Sequence, residues 1–406
     1  MEKQTLFDSV ISMNNLYNAW NTIQEKKSSG GVDDVSVDSY SKSLSKRLSQ
    51  LHHLLETEKW LPSPYYNIEI PKVSGEVRVI SLTVVEDKIV QTAIKQVIEP
   101  ILEHSFLSCS YAYRPGRGHL KCIRRTLAEM RNRDNSCFIQ ADVDNYFDSI
   151  DRSRLLRRLA TPIPDRKLLN LIGLCISMGG VSPDLAWHES AKGIPQGATL
   201  SPLLANFYLS PFDQSVTSHC QSYVRYSDNF IIWCRGRGEA SRISKQVTEF
   251  LSSRLELRLN DVPEPREIEE GVEFLGLFIK SSGISLTQKK IQELSDIIGS
   301  IKLSNGQLDS KYIKTLEGIR RYYIKALPAS YQETFIEILV KTVTSWEESG
   351  RELSRKNVEE IYQRLLGKPH QITDPGRGRK NKRTWRKRSS NERTNTNVWR
   401  QRIQNW

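Results

Sequence analysis

Two β-favouring runs of this 406-residue chain are separated by only two residues, and this spacing constrains the fold more than any other feature. The runs occupy 222–226 and 229–234, with Ser227 and Asp228 between them. Such a link is too short for the crossover that parallel strands need, so the two strands must be antiparallel. The sequence therefore predicts a sheet that contains at least one β-hairpin, with an acidic residue at its turn.

Strand and helix periods alternate along most of the chain, without a detectable internal repeat. Val73, Ser74 and Gly75 join two short strands, 66–71 and 76–81, as a second hairpin. The pattern predicts an α+β fold: a mixed, mainly antiparallel sheet backed by helices, followed by a unit of helices alone. Two further strands are expected at 137–143 and 272–279. Helices are expected at 6–24, 40–57, 86–103, 151–177, 200–217, 239–254, 288–303, 309–326, 330–348 and 355–366.

Positive charge is concentrated at the C-terminal end. The whole chain has a formal net charge of +12, of which residues 368–406 carry +10 and residues 1–367 only +2. Arg383 and Arg386 lie on either side of Trp385 in this basic tail, an arrangement that suits contacts with phosphates and bases. The alternative is a solvated, disordered tail that aids solubility.

Cysteine spacing and hydropathy exclude two classes of protein. The six cysteines include no Cys-X-X-Cys pair and have no histidine at ligand spacing, so a zinc site is not expected. The N-terminus has no signal-peptide pattern, and no apolar stretch approaches the roughly 18 residues that a membrane span needs. We therefore expect a cytoplasmic protein with reduced thiols and no membrane partner.

Asp142 and Asp228 are the main candidates for catalysis. Asp142 follows the apolar run at 137–141, and Asp228 occupies the hairpin turn. Adjacent strands lie about 4.8 Å apart, so pairing them could bring both carboxylates to one pair of Mg²⁺ ions, the arrangement used for phosphoryl transfer. The alternative for Asp228 is simpler, because aspartate is a common turn-forming residue.

Seven segments, taken in order, resemble the reverse transcriptases of the bacterial group II intron-like branch, and the resemblance extends from about residue 20 to about residue 325. The most specific segment is Gly193-Ile-Pro-Gln-Gly-Ala-Thr-Leu-Ser-Pro-Leu-Leu-Ala-Asn206. Tyr226-Ser-Asp-Asn229 stands where the family usually has Tyr-X-Asp-Asp. The seven segments are 70–78, 86–91, 110–117, 142–150, 193–206, 226–229 and 273–276.

This resemblance implies a right-hand polymerase fold with fingers, palm and an α-helical thumb. An N-terminal extension, the fingers and part of the palm would occupy 1–136, and the palm with the catalytic site 137–284. The helical thumb would occupy 285–367, followed by the basic, flexible tail at 368–406. These boundaries are expectations drawn from the family.

The resemblance also assigns catalytic roles. Asp142 and Asp228 would bind two Mg²⁺ ions, or Mn²⁺ in their place, together with the carbonyl oxygen of Val143. Asn229 would complete the catalytic set. Since Asn229 replaces the family's second Asp, the site loses one negative charge but keeps an oxygen acceptor, and weaker metal binding or a preference for Mn²⁺ could follow.

Substrate contacts follow from the same resemblance. Lys72 and Arg78 would bind the triphosphate of the incoming dNTP, as a point charge and a bidentate fork respectively. Phe147 would lie under the sugar and exclude a 2′-hydroxyl, while Gln196 and Gly197 would line the nucleotide pocket. The alternatives are a core aromatic for Phe147 and a solvated hairpin face for the two cations.

Nucleic-acid contacts are expected at six arginines, in the third segment, in the thumb and in the tail. The thumb pair could equally belong to a helix with one core face and one solvated face. The six residues are Arg114, Arg117, Arg320, Arg321, Arg383 and Arg386.

A second departure from the family pattern lies after the catalytic hairpin. The family usually has Asn-Pro-X-Lys there, but this chain has Leu259-Asn-Asp-Val-Pro263, with Pro263 in the place of the Lys. If that Lys acts as general acid for the leaving pyrophosphate, this chain must use another group or release pyrophosphate more slowly.

The family comparison favours a stand-alone enzyme similar to the defence-associated reverse transcriptases of bacteria, which protect against phage. Its partners would be dNTPs, a bound structured non-coding RNA as template, and the DNA product. Two alternatives stay open. One is a maturase-like RNA-binding protein of a group II intron, and the other is a template-independent terminal transferase, primed from a Tyr or Ser hydroxyl of the protein.

Overall fold

The computed structural model forms two compact units, Met1–Glu270 and Gly271–Trp406. The residues it describes are 5–26, 31–71, 77–220, 222–301, 303–304, 307–328, 331–348 and 355–366.

Four helices begin the first unit. The predicted helix at 6–24 is interrupted at Ser12, whose extended backbone ends one helix while its hydroxyl accepts a hydrogen bond from the Asn15 amide at 3.3 Å in the next. Thr5 caps the first helix in a reciprocal capping box with Asp8. The helices are α1 Leu6–Ile11, α2 Met13–Lys26, α3 Val37–Ser41 and α4 Leu44–Glu56.

The two strands predicted after these helices are present and pair within a four-stranded sheet with the order β2-β1-β4-β5, while the predicted turn at 73–75 lies outside the described residues. Ile68 faces Ile80 across the antiparallel pair β1–β2. The long helix expected at 86–103 follows directly, and its buried face packs against α1 and α2. The elements in this part of the chain are β1 Tyr65–Pro71, β2 Val77–Leu82, α5 Val85–Glu103 and α6 His119–Met130. The other two strands of the sheet come later in the chain and are β4 Gly180–Val181 and β5 Trp187–His188.

A second four-stranded sheet has the order β6-β7-β3-β8, and all of its pairs are antiparallel. Its central strands β7 and β3 are buried, and helices cover it, among them α10 with twelve buried residues. The elements are β3 Cys137–Ala141, α7 Tyr146–Ser149, α8 Arg152–Leu159, α9 Arg166–Ser177, α10 Ser201–Thr217, β6 Tyr223–Tyr226, β7 Asn229–Cys234, α11 Arg237–Leu255 and β8 Arg266–Glu267.

The single helix predicted at 151–177 is wrong, because the chain forms α8 and α9 with a break between them. Pro162 and Pro164 lie in the break, and proline removes a backbone donor and disfavours helix for the residue before it. Asp151 and Asp165 then cap the two helices through the amides of Arg154 and Leu168 respectively.

The second unit starts with a three-stranded antiparallel sheet, so the single strand predicted at 272–279 is wrong. Leu275 and Gly276 both have positive φ, 52° and 71°, and form a two-residue turn that reverses the chain. The prediction that only helices follow this sheet is also wrong, because β12 and β13 form a separate two-stranded antiparallel sheet between α12 and α13. The elements are β9 Val272–Phe274, β10 Leu277–Lys280, β11 Gly283–Ser285, α12 Gln288–Gly299, β12 Leu303–Ser304, β13 Gln307–Leu308, α13 Ser310–Ile319, α14 Tyr331–Glu348 and α15 Arg355–Leu366.

All six cysteines are buried free thiols. Across the residues that the structure describes, no helix combines the length and apolar character needed to cross a membrane.

Candidate active site

A cleft of about 970 Å³ in the first unit gathers most of the predicted catalytic, metal-binding and substrate-binding residues. One wall is the β1–β2 hairpin, and the floor is the end of the β6-β7-β3-β8 sheet. Gly197 directly follows the lining residue Gln196, and Asn229 directly follows the lining residue Asp228. The predicted residues that line the cleft are Arg78, Asp142, Val143, Phe147, Gln196 and Asp228.

Strand register explains why two acids so far apart in sequence meet. Ala141 of β3 faces Phe230 of β7 in the last pair of their ladder. One further step in that register brings Asp142 opposite Asn229, with Asp228 in the adjoining turn. Residues that face each other across antiparallel strands project from the same face of the sheet. Asp142 and Asn229 therefore share one face at the end of the sheet.

The segment after α11 fixes the backbone around Val143. Val143 forms an isolated antiparallel bridge with Leu259, made by the hydrogen bonds Asn260 N to Asp142 O at 3.0 Å and Asp144 N to Arg258 O at 2.8 Å. In this kind of pair the central residue makes no hydrogen bond to the opposite strand, so the carbonyl of Val143 points away from Leu259. The carbonyl of Val143 is thus not used in this bridge.

The turn that carries Asp228 is strained. Tyr226 pairs with Asn229, which leaves Ser227 and Asp228 as a two-residue turn. Ser227 has a φ of 62°, in the left-handed region that favours glycine, and it is 7% exposed. A non-glycine residue there costs about 1 kcal/mol or more, so surrounding contacts must hold the turn in place.

Those contacts come from Arg225, a residue that we did not predict. Its side chain is fully buried and forms a bidentate ion pair with the equally buried Asp213 of α10. One terminal nitrogen also donates to the carbonyl oxygen of Ser227 at 2.7 Å and to Asn206 Oδ1 at 3.0 Å. The guanidinium thus ties the strained turn directly to a core helix.

The remaining polar atoms around Arg225 are also hydrogen-bonded. Tyr223 donates its hydroxyl to Asp213 Oδ1 at 2.8 Å, and Asn206 donates to the carbonyl of Ala112 at 2.6 Å. Burial by itself lowers the pKa of Arg225, but the charge of Asp213 more than offsets this and holds the pKa above its usual value. A charged residue inside the apolar run 222–226 was the sequence signal that could have revealed this network.

Arg78 and Gln196 are joined across the cleft. Arg78 Nε donates to Gln196 Oε1 at 3.0 Å, while the Gln196 carbonyl accepts a hydrogen bond from the Ser81 amide at 2.6 Å. Ser81 belongs to β2, the edge strand of its sheet. Arg78, predicted to bind the triphosphate, and Gln196, predicted to line the nucleotide pocket, are therefore connected by hydrogen bonds.

Glycine is needed twice in the segment that carries Gln196. Gly197 has a φ of 103°, and a Cβ there would lie 3.0 Å from both Ile80 Cγ2 and the Ser81 carbonyl. Gly193 has a φ of 86°, and a Cβ there would lie 2.8 Å from Asp148 Cα. Positive φ and close backbone approach both exclude larger residues. The segment can therefore pack against β2 and α7 together.

Phe147 lies on the short helix α7 and is 8% exposed, with its ring packed edge-on against Tyr146. Its carbonyl accepts a hydrogen bond from the Ile194 amide at 2.8 Å. Phe147 is part of the core and also lines the cleft. Its position is therefore compatible both with a core aromatic and with the predicted contact to the sugar.

The residues at the end of the sheet fit a divalent cation. Oδ1 of Asn229 is buried and has no hydrogen-bond partner among the residues that the structure describes, which a metal ion or its bound water would satisfy. Burial raises the pKa of Asp228, and a cation would favour its charged form. In the described part of the chain no three His, Cys, Asp or Glu residues form a metal cluster. Asp142, Asp228 and the Val143 carbonyl would thus bind metal together with substrate oxygens.

The nucleic-acid role predicted for Arg114 is corrected by its position. Arg114 is 8% exposed; it forms a bidentate contact with Glu103 and donates to the carbonyls of Leu107 and Ser110. These bonds hold the loop beside β6, so the guanidinium is structural. Arg117 is partly exposed, with its guanidinium 5.1 Å from the Tyr111 ring centroid.

The remaining predicted positions are not among the residues that line the cleft. Arg320 and Arg321 belong to a π-helical turn after α13, in the second unit, and Arg321 pairs with Glu317 at 3.3 Å. Lys72, Arg383 and Arg386 lie outside the described residues. The buried Pro263 accepts a hydrogen bond from the Ser244 hydroxyl through its carbonyl.

Comparison with known proteins gives a consistent family. A model of the family described as "Reverse transcriptase (RNA-dependent DNA polymerase)" matches residues 70–316, more than half of the chain. The chain is 27% identical over 284 residues to protein YkfC of Escherichia coli, covering 61% of this chain and 74% of that protein. It is 31% identical over 217 residues to the group II intron-encoded protein LtrA of Lactococcus lactis, covering 52% of this chain and 35% of LtrA.

A putative COX1/OXI3 intron 2 protein of Saccharomyces cerevisiae is 25% identical over 324 residues, covering 64% of this chain and 37% of that protein. The chain thus spans about a third of the length of two of these three relatives. Among solved structures, telomerase from Candida tropicalis has a TM-score of 0.45 at 12% identity, covering 87% of this chain and 68% of that one. A partial Cas6-RT-Cas1–Cas2 complex has a TM-score of 0.40 at 22% identity, covering 62% of this chain and 43% of that one.

Proposed function

This chain belongs to the reverse transcriptase family, and from that premise we propose that it is an RNA-directed DNA polymerase whose cleft extends a DNA strand by two-metal phosphoryl transfer from dNTPs. The observation that carries the proposal is the cleft itself. An acid that follows β3, an acid in the β6–β7 turn, an arginine from the β1–β2 hairpin and a glutamine from the Gly193–Asn206 segment line a single cavity.

The proposed chemistry assigns each group a task. The primer's 3′ oxygen attacks the α-phosphorus of the dNTP, and pyrophosphate leaves. Asp142 and Asp228 would hold the two Mg²⁺ ions with the Val143 carbonyl, and such ions stabilise charge on the attacking and leaving oxygens. The protein's contribution is positioning: the β3–β7 register aligns the acids, and Arg225 fixes the turn that presents Asp228.

Substrate selection would use the opposite walls of the cleft. Arg78, oriented by Gln196, would face the triphosphate, with Lys72 as a second cation. Phe147 would lie under the deoxyribose, where its ring leaves no space for a 2′-hydroxyl. Gln196 and Gly197 would line the base and sugar pocket. RNA would serve as template, and the N-terminal, palm, thumb and tail regions would divide at the boundaries expected from the family.

The direct test is incorporation of labelled dNTPs by the purified protein with its co-purifying RNA, with and without Mg²⁺ or Mn²⁺. Metal-dependent product whose sequence is complementary to the bound RNA is expected. No incorporation with either metal would overturn the proposal. A product unrelated to the RNA would instead support the template-independent, protein-primed transferase.

A second candidate function is favoured by one residue and by the relatives. Asn229 removes one of the usual acids, and two of the similar proteins are named as intron proteins. An RNA-binding maturase would need the RNA contacts but not the nucleotide pocket. Splicing of a co-expressed intron by the Asp228→Ala variant would support this candidate, and unchanged unspliced RNA would exclude it for that intron.

The biological setting that we propose is antiphage defence in the bacterial cytoplasm, with a cognate non-coding RNA as template. Its support is the resemblance in the sequence motifs. Phage should form fewer plaques on bacteria that express the protein than on bacteria that lack it. Asp142→Ala should abolish this protection. Equal plaque counts for wild type and variant across a broad phage panel would remove the defence role and leave the polymerase proposal intact.

A further inference from the structure

Helix α6 carries a charged surface that the cleft does not explain. Lys121, Arg124, Arg131 and Arg133 are all exposed, and we name these four residues the α6 basic surface. The first three follow helical spacing and lie on one face over about 15 Å. Arg131 directly follows the last residue of the helix, and Arg133 extends the surface two residues further.

The opposite face of α6 is part of the core. Cys122, Ile123, Thr126 and Met130 are buried there. The acid on this face, Glu129, is 4% exposed and forms an ion pair with Arg125. The orientation of the helix is therefore fixed by packing, and its outward charge is positive.

The distribution of charge makes this surface unusual. Residues 117–134 contain six Lys and Arg and two Asp and Glu, a net charge of +4. Residues 1–367 as a whole have a net charge of only +2, so the rest of this region is net negative. A solvated face chosen for solubility alone would not need such a contrast. Local positive charge on a near-neutral body favours a polyanion partner.

The sheet places α6 on the side where the catalytic residues project. Trp233 and Asn229 are four residues apart on β7 and so point to the same face. The indole of Trp233 donates to the sulfur of Met130 at the end of α6, with the two atoms 3.4 Å apart. The helix end therefore packs on that face, about 13 Å along the strand from Asn229.

From these observations we propose that the α6 basic surface binds the phosphate backbone of RNA that extends from the cleft. The inference rests on the proposed function, because the RNA template is the strand present before synthesis begins. Phosphate contacts of this kind position a nucleic acid without reading its sequence. The surface would thus raise affinity for RNA while leaving the chemistry to the cleft.

The test compares two triple variants of the full-length protein, freed of co-purifying RNA. K121Q/R124Q/R131Q removes three of the four positive charges of the α6 basic surface. K42Q/K46Q/K59Q removes the same charge from exposed positions near the N-terminus and serves as the matched control. Binding of a labelled RNA hairpin and of a DNA hairpin of the same sequence is followed by fluorescence anisotropy over a range of salt concentrations, after circular dichroism has verified folding.

We expect the α6 variant to bind the RNA hairpin at least tenfold more weakly, with the log–log salt slope reduced by about 2. The control should stay within about threefold of wild type. Equal losses in both variants, or an unchanged affinity of the α6 variant, would overturn the proposal. A loss confined to the DNA hairpin would overturn it as well, since RNA would not be the ligand.

Extension of a short, pre-annealed primer–template at saturating concentration separates this inference from the proposed function. The α6 variant should retain extension near the wild-type rate, because none of its substitutions lies in the cleft. If the wild-type protein makes no DNA with any metal, the proposed function fails, and the anisotropy measurements still decide whether RNA binds α6.

Discussion

The two β-hairpins that border the cleft are anchored in opposite ways. The β6–β7 hairpin is almost entirely buried, and the fully buried ion pair Arg225–Asp213 supports its turn. The β1–β2 hairpin forms a sheet edge and exposes Ile70, Val77 and Val79 by 44% or more. The first is built to hold carboxylates at fixed positions, and the second to meet a substrate that arrives from solvent.

The base of each hairpin repeats the contrast. Arg225 keeps its charge, because Asp213 is its partner inside the core. At the base of the β1–β2 hairpin, the Ser63 amide donates to the buried carboxyl of Asp87 at 2.8 Å, and burial raises the pKa of Asp87 to about 7. One hairpin therefore rests on a permanent charge pair and the other on an acid that titrates near neutrality.

The largest effect is expected from removing an acid at the buried end. Asp142→Ala or Asp228→Ala should lower the rate of dNTP incorporation by about 10³-fold or more, since each would remove a metal ligand worth several kcal/mol in the transition state. Primer extension measures the loss, and Asp134→Ala, at an exposed position, is the control. Incorporation near the wild-type rate in either cleft variant would remove the metal assignment.

Breaking the buried anchor should come next. Arg225→Met alone leaves Asp213 as an uncompensated buried charge and should destabilise the fold by about 3–5 kcal/mol. The double variant R225M/D213L should recover much of that stability, but the Ser227 carbonyl would lack its donor. We expect its kcat to fall by about 10² while KM for dNTP changes little. Thermal unfolding and steady-state kinetics check both parts, and a wild-type kcat in the double variant would show that Arg225 serves folding alone.

The base of the exposed hairpin should respond to pH. The folded state holds the Asp87 proton more tightly than the unfolded state, whose pKa is near 3.8. Stability is therefore full below that value, and it falls as pH rises towards about 7. Between pH 5 and pH 8 the expected loss is about 3 kcal/mol, and Asp87→Asn should remove it. Urea denaturation across this range is the measurement, and a variant with the same pH slope as wild type would exclude Asp87 as the cause.

The exposed hairpin should affect substrate binding more than turnover. Arg78→Ala should raise KM for dNTP by about 10-fold to 100-fold, because a charged contact with the triphosphate is lost. Arg78→Lys should give a smaller increase, since lysine keeps the charge but not the fork. Single-nucleotide incorporation over a range of dNTP concentrations separates KM from kcat. A change in kcat alone would contradict the prediction, because it would mean that Arg78, like the buried β6–β7 hairpin, acts on turnover and not on dNTP binding.

The smallest effect is expected at Asn229. Asn229→Asp restores the usual acid and should keep Mg²⁺-dependent incorporation within a few-fold of wild type or raise it, and it should lower the metal concentration needed for half-maximal rate. Titration of Mg²⁺ and of Mn²⁺ measures this shift. A large loss of activity would mean that the amide itself is required.

The sequence predicted the parts of the cleft that depend on local pattern. The hairpin at 222–234 follows from the spacing of its two runs, and the helix Val85–Glu103 from its apolar period. Residues that act through long-range contacts could not be obtained in this way. Arg114 stands in a motif that resembles a nucleic-acid contact, but whether its guanidinium faces solvent or Glu103 is decided by tertiary packing.

The errors in secondary structure have a similar origin. Apolar periodicity continues across the prolines at 162 and 164 and across Leu275 and Gly276, so the pattern joined elements that the backbone separates. The network around Arg225 was missed for a different reason. A single arginine in an apolar run reveals its role only when its partner, twelve residues away on another element, is known to be buried beside it.

The bond from the Ser81 amide to the Gln196 carbonyl has a mechanical consequence. It joins the edge strand β2 to the segment that would select the nucleotide. Displacement of the hairpin would pull Gln196 with it. Binding of the triphosphate by the β1–β2 hairpin and contact of Gln196 with the base and sugar would then occur in one concerted motion.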